Sequence, residues 1–187
     1  MRIYILAFLM TAAAFLLNGC QNNTHGDQTA EQVSSTDIAW MDWNDAIAAA
    51  RAEKDKKIFV DMYTDWCGWC KRMDRSTFAE PEVIQYMNRH FYPVKFDAEQ
   101  KETIKYKGKE FEFVAAGRRG YHELAGTLLN GRLSYPSFVF LDENENRIII
   151  SPGYKRKDEF LLELKFAAEN AYKSMSLEEY KVQNSES

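Results

Sequence analysis

A pair of cysteines, Cys67 and Cys70, lies directly after a short apolar run. That run begins at Ile58 and predicts a buried strand, because it is short, apolar and rich in β-favouring residues. We expect a helix from about Cys67 to Phe78, whose first turn offers partial positive charge and free N–H groups to the Cys67 thiolate. Cys70 lies close enough to attack a mixed disulfide formed by Cys67. The spacing therefore supports disulfide exchange and not merely a covalent staple.

Two other uses of the cysteine pair are a purely structural disulfide and a metal site. A metal centre would want further thiolate or imidazole ligands. None of the histidines lies near the pair in sequence; they are His25, His90 and His122. Lys71 follows Cys70, where a haem-attachment motif would have a histidine. We therefore favour redox exchange, and we expect neither a metal nor a bound organic cofactor because the two sulfurs carry the electrons.

The segment from Val60 to Lys71 resembles the strand, turn and active-site helix of the thioredoxin family. Its Trp-Cys-x-x-Cys-Lys motif, together with Phe78 and a helix that begins at Pro81, is most similar to one branch of that family. The branch includes bacterial exported thioredoxin-like lipoproteins and the periplasmic thioredoxin-like domain of transmembrane disulfide reductases. The resemblance covers roughly residues 40–172. It implies an α/β, thioredoxin-like fold, with a central mixed β-sheet flanked by helices.

The resemblance also implies three catalytic residues. Cys67 would attack a substrate disulfide, and Cys70 would resolve the mixed disulfide that results. Asp61, six positions before Cys67, matches the buried acid that helps proton transfer for the resolving cysteine. The alternative for Asp61 is an ordinary acid on an edge strand. We predict Cys67, Cys70 and Asp61 as the catalytic set.

A second group of residues is expected to bind the substrate. Tyr135 and Pro136 precede a predicted strand and match the family's cis-proline, which faces the disulfide and helps to bind the substrate backbone. An ordinary loop proline is the alternative. Trp66 and Trp69 are expected to be partly exposed beside the disulfide, with Gly68 between the cysteines, although Trp66 could instead pack beneath the helix.

The Gly68-Trp69 dipeptide departs from the family pattern. Thioredoxin has Gly-Pro at these positions and disulfide isomerases have Gly-His. Without a histidine there, one source of thiolate stabilisation is missing. The dipeptide therefore favours a reductant over a strong oxidant.

Hydrophobic periodicity predicts the other elements. The predicted elements are a helix after Asp42 carrying Trp43, Ile47 and Ala50, a helix over 81–88, strands over 91–96, 137–141 and 147–150, a helix carrying Tyr121, Leu124, Ala125 and Leu128, and a last helix carrying Phe160, Leu164, Ala167 and Ala171. Pro93 predicts either that the 91–96 strand lies at an edge of the sheet or that the proline stands at the beginning of the strand. The stretch 98–120, before the cis-proline loop, looks like an insertion with a hairpin around Gly108. It either rims the active site and selects substrates or is a tolerated surface insertion.

The amino-terminal segment predicts export. An apolar stretch from Ile3 to Leu17 follows Arg2 and is shorter than the roughly 20 residues that span a bilayer. Leu17-Asn18-Gly19-Cys20 resembles the bacterial lipoprotein processing box, which implies removal of residues 1–19 and lipidation of Cys20. The alternative is a plain secreted protein, with Cys20 in the discarded signal or left as a spare thiol.

The expected domain division follows from these signals. Residues 1–19 are a signal peptide, and residues 20–39 are the lipidated cysteine and a polar, flexible tether. Residues 40–175 form the thioredoxin-like domain, and residues 176–187 form a polar, solvated tail. The protein is thus expected to be a bacterial, periplasm-facing lipoprotein that the lipid on Cys20 anchors to a membrane.

Charge narrows the class of partners. The chain has 24 Lys and Arg against 28 Asp and Glu, a net charge of −4, which argues against a nucleic-acid partner. The expected partners are disulfide-containing protein substrates and a redox protein that recharges the cysteine pair. Two rivals remain: a substrate-binding or chaperone-like protein with a structural disulfide, and a metal-handling lipoprotein that uses the thiol pair.

Overall fold

The computed structural model describes residues 35–184. The predicted signal peptide, Cys20 and most of the predicted tether lie outside the described residues. The helices are α1 (Trp43–Glu53), α2 (Gly68–Arg75), α3 (Pro81–His90), α4 (Glu123–Leu128), α5 (Lys157–Ala168) and α6 (Leu177–Asn184). The strands are β1 (Lys57–Tyr63), β2 (Phe91–Asp97), β3 (Ile104–Tyr106), β4 (Lys109–Phe111), β5 (Phe113–Ala116), β6 (Arg119–His122), β7 (Ser137–Leu141) and β8 (Arg147–Pro152).

The main sheet has the strand order β2-β1-β7-β8. Strand β1 pairs parallel with β2 and antiparallel with β7, and β7 pairs antiparallel with β8. The predicted central mixed sheet is therefore confirmed. Strand β2 lies at the sheet edge, as Pro93 indicated, since a proline cannot donate a ladder hydrogen bond.

Side-chain alternation along β1 divides the core into two layers. Ile58, Val60 and Met62 face the layer that contains α1 and α4, whereas Phe59 faces the layer that contains α2, α3 and α5. Phe59 packs among other aromatic rings, with Phe140 at 5.2 Å between ring centroids. Asp61 follows Phe59 by two residues and therefore points toward the same layer as the active-site helix α2.

The stretch between β2 and α4 contains two hairpins, of which sequence analysis predicted only the first. Strands β3 and β4 form the hairpin expected around Gly108, and β5 and β6 form a second one. Position 120 in this second hairpin requires glycine, because a Cβ there would overlap the Phe113 ring. Tyr121, predicted to be helical, lies instead in β6, and α4 begins only after His122, whose ring accepts a hydrogen bond from the Leu124 N–H at 3.2 Å.

Helices α2 and α6 also differ from expectation. The helix expected to reach Phe78 ends at Arg75 and continues as a short 3₁₀ turn. The segment expected to be a solvated tail forms α6, in which Tyr180 is buried and lies 5.5 Å from the Phe166 ring. No helix within residues 35–184 is both long and apolar enough to cross a bilayer.

Candidate active site

Cys67 and Cys70 form a disulfide at the start of α2, with an S–S distance of 2.07 Å. Cys67 is the N-cap residue of the helix, and its Sγ accepts a hydrogen bond from the Cys70 backbone N–H at 3.1 Å. The cysteine position follows from the preceding turn, in which the Cys67 N–H donates to the carbonyl oxygen of Thr64 at 3.0 Å. An N–H aimed at Sγ from a helix N-terminus favours the thiolate form of the reduced cysteine.

Asp61 is buried in the middle of β1, with only 1% of its surface exposed. Its Oδ2 lies 2.7 Å from the Nζ of Lys95, whereas its Oδ1 has no hydrogen-bond partner among the described residues. Burial raises the pKa of Asp61 to about 6, and the attraction of Lys95 offsets part of that rise. A carboxyl with such a pKa can take up or release a proton near neutral pH.

Sequence analysis missed Lys95, which is the cationic partner of this buried acid. Strand register places Lys95 directly opposite Asp61, and its ammonium also contacts the carboxylate of Asp74 on α2. The Nζ lies over the ring of Trp40 at 4.9 Å and over that of Phe78 at 5.2 Å. The signal in the sequence was a single lysine inside an apolar strand. Lys95 thus joins the buried acid to the active-site helix.

Trp66, just before the first cysteine, is half exposed at 50%, so it does not pack beneath the helix. Its indole N–H donates to Oε1 of Glu99 at 2.9 Å. The Arg119 guanidinium lies over the indole at 4.4 Å, and the Tyr135 ring meets it edge-on with centroids 6.0 Å apart. The second hairpin of the insertion therefore contacts the active-site surface through Arg119.

Trp69, between the cysteines, is 56% exposed on the other side of the disulfide. Its ring lies 5.6 Å from the Tyr154 ring, and the Arg72 guanidinium lies 5.4 Å from the indole. Gly68 borders an open cleft of about 540 Å³ beside Trp69, and a Cβ added at Gly68 would meet no neighbour. The two exposed tryptophans thus flank the disulfide with different surroundings.

Pro136 immediately precedes β7, and the peptide bond between Tyr135 and Pro136 is cis, as the resemblance implied. Ser137, the next residue, pairs with Met62 near the end of β1. Because β1 leads into the cysteine turn, this register brings the cis-proline loop to the same end of the sheet as the disulfide. The predicted substrate-binding residues thus lie near one end of the main sheet.

The Thioredox_DsbH family model, which is described as a protein of unknown function (DUF255), matches residues 27–159. The chain belongs to the Thioredox_DsbH family. Curated relatives include the thiol:disulfide interchange protein DsbD of Escherichia coli K12, which is 32% identical over 83 residues. DsbD of Citrobacter koseri is 35% identical over 86 residues. The matched regions cover 44% and 46% of this chain but only 14% and 15% of the two relatives.

Solved structures support the thioredoxin-like fold of this Thioredox_DsbH protein. A thioredoxin-fold protein from Helicobacter pylori has 20% identity and a TM-score of 0.54, covering 74% of this chain and 98% of that chain. A putative disulphide-isomerase from Bacteroides thetaiotaomicron has 29% identity and a TM-score of 0.52, covering 76% and 99%. Together with the family match, these findings establish a thioredoxin-like fold, in which Cys67 and Cys70 form a disulfide at the start of α2.

A metal site was one of the rival uses of the cysteine pair. Within residues 35–184, no group of three or more His, Cys, Asp or Glu side chains is arranged to hold a metal ion.

Proposed function

We propose that this protein is an exported, membrane-tethered oxidoreductase that exchanges disulfides with protein substrates and acts as a reductase or isomerase. The observation that carries the proposal is the N-cap position of Cys67, whose Sγ accepts the Cys70 N–H. The exposed indoles of Trp66 and Trp69 beside the pair offer apolar surface to an extended partner. The similarity to the thiol:disulfide interchange protein DsbD supports the same reaction class.

The chemistry proceeds in two exchange steps. In the reduced protein, the Cys67 thiolate attacks one sulfur of a substrate disulfide, forms a mixed disulfide and releases the other substrate sulfur as a thiolate. The Cys70 thiolate then attacks Cys67 Sγ, which restores the internal disulfide and releases the second substrate thiol. The substrate disulfide gains two electrons and the cysteine pair loses two. A redox partner protein must return two electrons before the next cycle.

Asp61 would serve the second step. With a pKa of about 6 it is mainly ionised at neutral pH, so it can accept the proton that Cys70 must lose before it attacks. Lys95 would hold the Asp61 carboxylate in place and is therefore a positioning residue. Tyr135, Pro136 and the residues around Gly68 would form the surface that receives the substrate backbone.

The equilibrium reduction potential tests this function and its direction. We expect a value of about −270 mV, as in thioredoxin, because the Gly68-Trp69 dipeptide has no histidine; a value of about −120 mV would instead mark an oxidant. The measurement uses the full chain with Cys20→Ser, equilibrated in glutathione or dithiothreitol buffers and quantified by thiol alkylation. A pair that never equilibrates with these buffers would favour the rival function, a binding protein with a structural disulfide.

The same proposal includes the cellular location of the protein. Residues 1–19 would be removed as a signal peptide, Cys20 would carry the lipid, and residues 20–39 would tether the folded domain to a periplasm-facing membrane. The lipoprotein-like box at Leu17–Cys20 supports this. We expect mass spectrometry of the mature protein to find a lipid-modified Cys20 at its amino terminus. An unlipidated terminus downstream of Cys20 would refute the anchor but leave the exchange chemistry intact.

A further inference from the structure

We propose that the Trp69 side of the active-site surface binds an acidic segment of the protein substrate, with carboxylate side chains near the substrate's reactive cysteine. The proposal rests on the proposed exchange function and names the class of substrate that this site prefers. It arises from three arginines, Arg72, Arg75 and Arg156, which lie beside the disulfide and have no part in the chemistry.

The three arginines share one exposed surface. Arg72 and Arg75 follow Trp69 at intervals of three residues and so form one stripe along α2. Arg156 is the N-cap residue of α5 and lines a second cleft, of about 320 Å³, together with Trp69 and Arg72. The first cleft, of about 540 Å³, is lined by Trp69, Arg72 and Arg75 with Gly68. The two clefts meet at Trp69 and Arg72, so they form one continuous basic surface.

None of these three arginines forms an ion pair with a carboxylate of residues 35–184. The nearby acids are paired with other cations. Asp74 contacts Lys95, and Glu159, which lines the second cleft, lies 3.9 Å from Lys155 and 3.6 Å from Lys181. In a chain with a net charge of −4, this surface is therefore a local excess of unpaired positive charge.

The Trp66 side of the disulfide is different. Glu99 accepts the Trp66 indole N–H there, and burial, with a contribution from the negative charge of nearby Asp65, raises the pKa of Asp97. Arg119 lies 3.9 Å from Glu99 and thus already forms an ion pair with a carboxylate. The two sides therefore differ in charge, and an acidic segment is favoured on the Trp69 side alone.

The shape and chemistry of the surface favour a peptide segment as the occupant. Trp69 and Tyr154 supply aromatic area for apolar groups, and Arg72 lies over both rings, at 5.4 Å and 5.5 Å. A single exposed ion pair contributes little, so useful selectivity needs several carboxylates in register with several guanidinium groups. An extended acidic chain on either side of a cysteine provides that arrangement.

The test compares three peptides that differ only in charge. Each is a disulfide-linked dimer with one cysteine, flanked by glutamates, glutamines or lysines, and its reduction by the full chain with Cys20→Ser is followed by chromatography after an acid quench. At low salt we expect the glutamate peptide to react about tenfold faster than the glutamine peptide, and the lysine peptide to react most slowly. The preference should collapse at about 0.5 M salt.

Two matched variants locate the preference. Arg75→Glu combined with Arg156→Glu should reverse the order of the glutamate and lysine peptides, and Arg75→Gln combined with Arg156→Gln should abolish the preference. Arg89→Glu is the control, because Arg89 is exposed near the end of α3, which leads into β2 at the sheet end opposite the disulfide. We expect Arg89→Glu to leave the order unchanged.

The outcomes separate this proposal from the proposed function. Equal rates for glutamate and glutamine peptides, or an acidic preference that survives both double variants, would overturn the acidic-substrate proposal while exchange itself stands. Failure to reduce any of the three peptides would instead overturn the proposed function. The glutamine double variant keeps the test decisive if charge reversal disturbs folding, which circular dichroism would show.

Discussion

Replacing Cys67 with serine should abolish disulfide exchange, with a loss of about a thousandfold or more in rate. A serine hydroxyl is not ionised at neutral pH and cannot form the mixed disulfide that carries the substrate. The N–H of Cys70, which is aimed at Cys67 Sγ, would then have no thiolate to stabilise. The rate is measured as reduction of a peptide disulfide by the prereduced full chain in a Cys20→Ser background. Full activity in Cys67→Ser would refute the assigned nucleophile.

Cys70→Ser provides the matched control for this experiment. It keeps the attacking thiolate but removes the sulfur that resolves the mixed disulfide. We therefore expect one round of attack, followed by accumulation of a covalent adduct between Cys67 and the substrate that is visible on a non-reducing gel. Cys67→Ser should form no such adduct. If Cys70→Ser also failed to trap substrate, the pair would be structural, as in the rival binding function.

The local parts of the site could be predicted from the sequence because they depend on neighbours along the chain. The strand before Cys67, the helix that begins after it and the acid six positions earlier all lie within one segment. The cis bond at Pro136 followed from the resemblance, because a proline directly before a strand matches the family pattern. These features could therefore be predicted from sequence pattern and resemblance, without knowledge of any long-range contact.

The residues that escaped prediction are those that depend on long-range pairing. Lys95 meets Asp61 only through the register between β1 and β2, which neither strand specifies alone. Arg119 reaches Trp66 only because a second hairpin folds back toward the disulfide. Helix α6 carries few apolar residues and is held instead by contacts such as Lys181 with buried Glu163 at 3.0 Å. A periodicity argument has no means of detecting such contacts.

Replacing Asp61 with asparagine should stabilise the oxidised protein at pH 7.5 by about 3 kcal/mol, because each unit of pKa difference corresponds to about 1.4 kcal/mol. Burial raises the pKa of this carboxyl from 3.8 to about 6. Between these two values, the unfolded chain releases the proton more readily than the folded protein, so the stability of the wild type falls as pH rises. Asparagine cannot ionise and escapes this loss.

The difference in free energy of unfolding between the wild type and Asp61→Asn depends on pH. Below about pH 3 the carboxyl is mostly protonated in both states, so the wild type and Asp61→Asn should have similar free energies of unfolding. The difference should appear as pH rises from 4 to 6 and remain constant above that range. Urea unfolding at about pH 3 and at pH 7.5 measures it, with the exposed Asp65→Asn as the matched control. An equal effect of Asp61→Asn at both pH values would contradict the raised pKa.

Stability and exchange should change in opposite directions in the Asp61→Asn variant, which separates a functional acid from a merely buried one. The variant should resolve mixed disulfides about a hundredfold more slowly near neutral pH, because Cys70 loses its proton acceptor. The wild-type rate should rise through an apparent pKa of about 6, and this step should be absent from the variant. Lys95→Met offers an independent check: since Lys95 lowers the pKa of Asp61, its removal should move both the stability loss and the rate step to higher pH. A rate step that stays at the same pH in Lys95→Met would mean that a group other than Asp61 controls the resolving thiol.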